Sequence, residues 1–140
     1  MNKFIEIALQ EYGIKEITGT EHNAEVLKYF KAVKGANIQD DETAWCSAFA
    51  NWVLAEGGSI GSGKLNARSW LNVGEAVTEP KLGDIAVFWR ETPVSWKGHV
   101  GFVIRVEGDY VWVLGGNQGN EVKIQAYNTN QLLGYRRIKE

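Results

Sequence analysis

The chain predicts an α+β domain, with N-terminal helices packed on a C-terminal antiparallel sheet of about five strands. Three observations carry this expectation. Apolar residues recur at helical spacing up to Glu56, and β-branched and aromatic runs take over from Gly83. The two kinds of segment do not alternate, which argues against a doubly wound sheet. Short links, Glu107-Gly108-Asp109 and Asn117-Gln118-Gly119-Asn120, join neighbouring runs as hairpins.

Each element follows in order. Phe4, Ile5, Ala8, Leu9 and Tyr12 fall on one helical face of residues 2–12, and Gly13 ends the run. Asn23 is placed to cap a second helix, in which Val26, Leu27, Phe30 and Val33 repeat until Gly35. A third helix runs from Ala44 to Glu56, with Cys46, Phe49, Ala50, Val53 and Leu54 on one face and Thr43 or Asp41 as cap. Gly57-Gly58 closes it, and a flexible Gly-rich loop follows, which fits no phosphate-loop spacing. A short helix is expected over 67–73. Strands are expected over 84–89, 99–106, 110–114, 121–126 and 134–138.

The 140 residues are 44% hydrophobic and include 6 Trp, 5 Tyr and 5 Phe, enough for one domain to build a core without cross-links. Net charge is −2 and basic residues are scattered, so the footprint of a nucleic-acid binder is missing. No stretch is long and apolar enough to insert in a membrane. The N-terminus lacks the apolar core and cleavage site of a signal peptide, so synthesis in the cytoplasm is expected. The single cysteine excludes an intrachain disulfide and leaves Cys46 free for chemistry. A monomer without cofactor is expected.

A thiol attacks a carbonyl as thiolate, so a working cysteine needs a lowered pKa: a helix N-terminus, an imidazole and partial exposure supply it. Cys46 lies in the first turn of its helix, whose N–H groups favour an anionic sulfur and an oxyanion. Of the two histidines, His22 lies in a polar segment, whereas His99 opens a strand between Gly98 and Gly101, glycines that leave room for a substrate backbone. Pairing the strands about Gly108 sets His99 opposite Asn117, whose amide oxygen would orient the imidazole. Each feature alone has a plainer explanation: a buried thiol, a surface histidine, a turn asparagine. Their conjunction is what points to a Cys–His–Asn triad.

Asp41-Glu42-Thr43-Ala44-Trp45-Cys46-Ser47-Ala48-Phe49 resembles the nucleophile helix of NlpC-type and CHAP-type peptidoglycan hydrolases. Leu82-Gly83-Asp84-Ile85-Ala86-Val87-Phe88, Gly98-His99-Val100-Gly101-Phe102-Val103 and Leu114-Gly115-Gly116-Asn117-Gln118 resemble their three following motifs, in the same order. The likeness covers roughly residues 10–138. It implies a minimal papain-like fold, a partly open barrel, and cleavage of a peptidoglycan amide, either in the stem peptide or between sugar and L-alanine. Carried over, Cys46 is nucleophile, His99 base and Asn117 orienting residue. The chain has no histidine after His99 and no acid before Asn117, so Gln118 shares or replaces the third role. Delivery to the wall would fall to a holin, a phage particle or a secretion system.

Trp45 adjoins the nucleophile and is expected to touch substrate, together with Gln118; Trp70, Trp89 and Trp96 are further candidates for the cleft, with core packing the simpler reading of Trp89 and Trp112. Asp40, Asp41 and Glu42 precede the helix and either bind stem-peptide amines or favour the helix start; Asp41 is the chosen substrate-binding acid. Glu16 is more simply a surface residue, and Asp84 a turn residue. His22, Cys46 and His99 are the only nitrogen and sulfur ligand candidates, with no zinc-protease motif, so no metal site is expected. The competing class is a wall-binding module without catalysis on the same fold; acyl transfer is a third possibility.

Overall fold

The computed structural model describes residues 2–15, 24–33 and 45–139. Three α-helices come first: α1 (Lys3–Leu9), α2 (Ala24–Phe30) and α3 (Cys46–Glu56). A 3-10 helix (Ala67–Asn72) leads into six strands: β1 (Glu75–Val77), β2 (Ile85–Trp89), β3 (Gly98–Glu107), β4 (Tyr110–Gln118), β5 (Glu121–Asn128) and β6 (Leu132–Arg137). The strands form one antiparallel sheet in the order β1-β6-β2-β3-β4-β5. The extra strand relative to sequence is β1. Its three residues, Glu-Ala-Val, carry too little apolar signal to be read, and pairing with β6 is what makes them a strand.

The Asn2 side chain caps α1, accepting from the N–H of Phe4 at 2.8 Å and Ile5 at 3.3 Å. The helix stops at Leu9, before its expected end, so Tyr12 leaves the apolar face and stands exposed. Gly13 then takes φ of 91°, and its N–H donates to the Val122 carbonyl at 2.8 Å, tying this turn to β5. Helix α2 buries Val26 and Phe30. Asn23 and Gly35, its expected boundaries, lie outside the described residues.

Helix α3 is the centre of the molecule. It touches α1 and α2 on one side and β3 and β4 on the other. That surrounding makes it apolar nearly all round, not on the single face its sequence suggests. Fully burying Phe49, Val53 and Leu54 stabilises the fold by roughly 2 kcal/mol each. Gly57 ends the helix where a Cβ would stand 2.8 Å from the Phe4 ring, so α1 and α3 cross closely there.

Both sheet faces are buried. Ile85, Val87, Val100, Phe102 and Leu114 meet the helices, whereas Ala86, Phe88, Val103, Val111 and Val113 form a second core. This is why β2 reads as an unbroken apolar run. The second core exists because the sheet curls. Tyr127 on β5 stacks at 4.9 Å on Phe88 of β2, although a flat sheet would separate those strands by about 14 Å at the usual strand spacing. The result is a partly open barrel with β1 and β5 at its free edges.

Candidate active site

Cys46 is the first residue of α3, with Trp45 as the N-cap residue. Trp45 offers no side-chain cap, and Thr43 and Asp41, the expected caps, lie outside the described residues. No side chain of the N-cap residue takes up the N–H groups of this first turn. Those of Cys46 and Ser47 face the sulfur, as does the N–H of Val100, the residue after His99. These contacts place the thiol at the His99 end of β3. Cys46 is only 5% exposed, less than the partial exposure expected for a reactive thiol. It nevertheless borders a cleft of about 260 Å³, lined also by Leu65, Asn66, Ala67, Arg90, Trp96, Lys97 and Gly98.

His99 is the second residue of β3, at 2% exposure on the inner face of the curled sheet. Its ring stacks on Tyr127 at 4.9 Å with an interplanar angle of 24°. Its Nε2 lies 2.8 Å from Oε1 of Gln118. The Gln118 amide nitrogen donates to the carbonyls of Val113 at 3.1 Å and Lys123 at 2.7 Å. Turning the amide over would set its oxygen against two carbonyls and its NH2 against the imidazole. The network therefore fixes Oε1 toward His99, puts the ring proton on Nε2 and leaves Nδ1 as the free base.

Asn117 does not meet His99. The β3–β4 ladder runs only as far as Phe102↔Leu114, so the expected His99–Asn117 pairing is not part of it. Across β4 and β5, Gly115 pairs with Lys123 but Gln118 with Glu121, one extra residue on β4. Asn117 takes up that residue in the left-handed region, at φ of 59°. The bulge reverses the alternation of faces, and Gln118 takes the inward place that a regular strand would give Asn117. Gly119 and Asn120, both at positive φ, then make the two-residue turn. The glycines of this region leave room for the protein itself. A Cβ on Gly115 would stand 2.7 Å from Gln118 Oε1, and one on Gly98 2.7 Å from the Phe88 carbonyl. The substrate backbone expected against Gly98 and Gly101 is thus displaced, beside Gly101, by Gln118 and Val113.

Burial raises the Cys46 pKa, and the three N–H groups and the Arg90 charge only partly offset it. Burial also lowers His99 to about 4, against the bond to Gln118, with Arg90 adding to the fall. Burial thus favours the neutral forms of both thiol and imidazole, against the pull of the helix start toward a thiolate.

Trp45 is fully buried, stacked on Tyr29 at 5.8 Å and packed against Gly116, so it belongs to the core and not to the cleft wall. Trp70 is also buried. The indole that does border the cleft is Trp96, 73% exposed. Asp41 and the neighbouring acids, with Glu16 and His22, lie outside the described residues. Asp84 accepts from the Lys81 N–H and pairs with Arg137 at 2.7 Å, clamping the turn before β2 to β6. Among the described residues no cluster of His, Cys, Asp and Glu is disposed to hold a metal.

Two devices hold the cleft walls, and neither was foreseen. Ser47 donates to the Lys64 carbonyl at 2.6 Å and accepts from Trp70 Nε1 at 2.8 Å. Asn51, one turn on, accepts from the Gly63 N–H at 2.9 Å. The Gly-rich loop read as flexible is thereby pinned to α3. Two polar residues at i and i+4 in an apolar helix are a signal that sequence does carry. On the opposite wall, Arg68 donates to the carbonyls of Lys97, Pro93 and Thr92 and holds the β2–β3 loop. Tyr127 and Arg90 gave no such signal, since only the curl of the sheet brings the first to His99 and only the β2 exit aims the second at the cleft.

The family model of the CHAP domain matches residues 38–117, more than half of the chain, a stretch that includes α3 and ends at the bulge. No curated protein sequence matches significantly. Among solved structures, a protein described as similar to lipoprotein, NLP/P60 family, from Staphylococcus aureus superposes with a TM-score of 0.55 at 17% identity over 99% of this chain. This chain spans 41% of that protein's length. The P60 domain of an antigen from M. avium paratuberculosis gives a TM-score of 0.57 at 14% identity, over 98% of this chain and 91% of that one. At such identities the two structures speak for the fold alone, and the family rests on the sequence match. The chain belongs to the CHAP domain family, on an NLP/P60-like, papain-like fold.

Proposed function

We propose that the chain is a cysteine hydrolase of peptidoglycan amides, with Cys46 as nucleophile, His99 as general base and Gln118 as orienting residue. The observation that carries this reading is the 2.8 Å bond between His99 Nε2 and Gln118 Oε1. It holds a neutral imidazole with Nδ1 unprotonated at the Cys46 end of β3. As the sulfur attacks the carbonyl carbon, Nδ1 takes the thiol proton, so charge develops only in the transition state. The N–H groups of the α3 first turn stabilise the oxyanion. The imidazolium returns its proton to the departing amine, leaving a thioester on Cys46. Water, deprotonated by His99, then releases the carboxylic acid and restores the thiol.

Gln118→Leu frees the ring to adopt the wrong tautomer and strips the carbonyls of Val113 and Lys123 of a donor. Loss of about 10²-fold or more in kcat/KM, with about 2 kcal/mol of stability, is the expected outcome. Asn117→Gly, which keeps the positive φ available, leaves kcat/KM within a few-fold. Steady-state assays and denaturant unfolding of both variants check this, and the opposite ranking would return the orienting role to Asn117.

The function itself is tested by digesting purified peptidoglycan and sequencing the products by mass spectrometry. New amino and carboxyl termini at one kind of amide bond are expected, insensitive to EDTA and abolished by alkylating the thiol. Sedimentation with the wall and no new termini would instead mark a binding module. The products also name the bond, stem-peptide or sugar-to-L-alanine. In this reading the substrate lies outside the cytoplasm, and delivery by a holin, a phage particle or a secretion system is part of the proposal.

A further inference from the structure

The cleft beside Cys46 carries a cation that the hydrolytic steps do not use. Arg90 follows the last residue of β2, whose partners across the ladder are Gly98 for Trp89 and His99 for Phe88. The chain therefore leaves the sheet at the His99 end, and the Arg90 N–H is held by the Lys97 carbonyl at 3.3 Å. The side chain is exposed and lines the cleft together with Cys46.

The neighbouring cations are committed elsewhere. Arg68 spends its guanidinium on Lys97, Pro93, Thr92 and Ser95. Lys97 pairs with Glu91 at 2.7 Å. The Arg90 guanidinium makes no hydrogen bond or ion pair with any described side chain, yet its charge reaches Cys46, His99 and Tyr127 alike. A structural arginine is normally tied to carbonyls or carboxylates, as Arg68 and Arg137 are here. An unpaired guanidinium that lines the same cleft as a thiol is instead available to an incoming anion, and its planar fork fits a carboxylate.

We propose that Arg90 is a specificity determinant that receives a carboxylate of the substrate next to the scissile amide. The inference deepens the hydrolase reading and rests on it for the word substrate; peptidoglycan stem peptides bear free carboxylates. The exposed ring of Trp96, on the same wall, gives that carboxylate-bearing residue an apolar flank. An amide flanked by a carboxamide would lack the charge that Arg90 pairs with, and would be cut less well.

The anion site can be tested apart from hydrolysis. The full chain has one cysteine, so intact mass reports alkylation of Cys46 alone. Rates are measured with iodoacetate, whose carboxylate stands in for that of the substrate, and with neutral iodoacetamide, on the parent, Arg90→Gln and Arg90→Lys. A change in thiolate fraction moves both rates together, so their ratio isolates anion recognition. The iodoacetate-to-iodoacetamide ratio should fall about three- to tenfold in Arg90→Gln, and Arg90→Lys should keep most of it. An unchanged ratio in Arg90→Gln overturns the proposal, and so does a parent thiol that neither reagent reaches. A fall in the ratio from a protein that releases no muropeptides would support the anion site while sinking the hydrolase reading.

Discussion

Cys46→Ala is expected to lower the release of new peptidoglycan termini by at least about 10⁴-fold and to leave the fold standing. No other described side chain in the cleft can replace a sulfur nucleophile: Asn66, Arg90 and Lys97 are its polar lining. The structural cost is small for a specific reason. The Cys46 thiol is packed among core residues, where burial favours its neutral form, so alanine removes little more than one sulfur atom. A loss of about 1 kcal/mol in unfolding free energy follows. Muropeptide analysis and urea unfolding on the same preparation separate the two effects. Equal lysis by the variant would take Cys46 out of the reaction.

His99→Gln should remove the base and cut kcat/KM by about 10³- to 10⁴-fold. The same substitution should change how stability depends on pH. Folded His99 resists protonation until about pH 4, whereas an unfolded histidine takes its proton near 6.5. Between those values only the unfolded state gains the proton. The contribution is therefore full above pH 6.5, is lost progressively on acidification, and levels off below about pH 4. The total is about 3 kcal/mol. His99→Gln should flatten this limb, visible as the difference between parent and variant unfolding free energies measured from pH 7 to 4. For the parent, kcat/KM should hold down to pH 5 and fall only near pH 4, because the base stays unprotonated until then.

Much of the fold is legible in the sequence because burial leaves a periodic trace. The third helix, the hairpin at Gly108 and the long strands are all set by local pattern and turn chemistry. The strand β1 is not, because a three-residue edge segment has no pattern to read. Cys46 and His99 are legible as residues, but their ionisation is not, since it depends on how completely helices and curled sheet exclude water from them. The partner of His99 shifts by one residue through a bulge at Asn117, a position where left-handed backbone looks in sequence like an ordinary turn. Trp45 reads as a cleft residue by its adjacency to Cys46, yet a residue preceding a buried helix points into the core, and the exposed indole comes from a loop some fifty positions later.

The neutral imidazole held by Gln118 is the feature on which nucleophile, base and pH dependence all turn. Long-range ¹⁵N–¹H correlation of the imidazole nitrogens observes it directly, since the chain has only two histidines and His99→Gln assigns the signals. At pH 7 the His99 ring should show a protonated Nε2 and a bare Nδ1, unchanged on acidification until about pH 4. A doubly protonated ring at pH 7, or a proton resting on Nδ1, would contradict the mechanism.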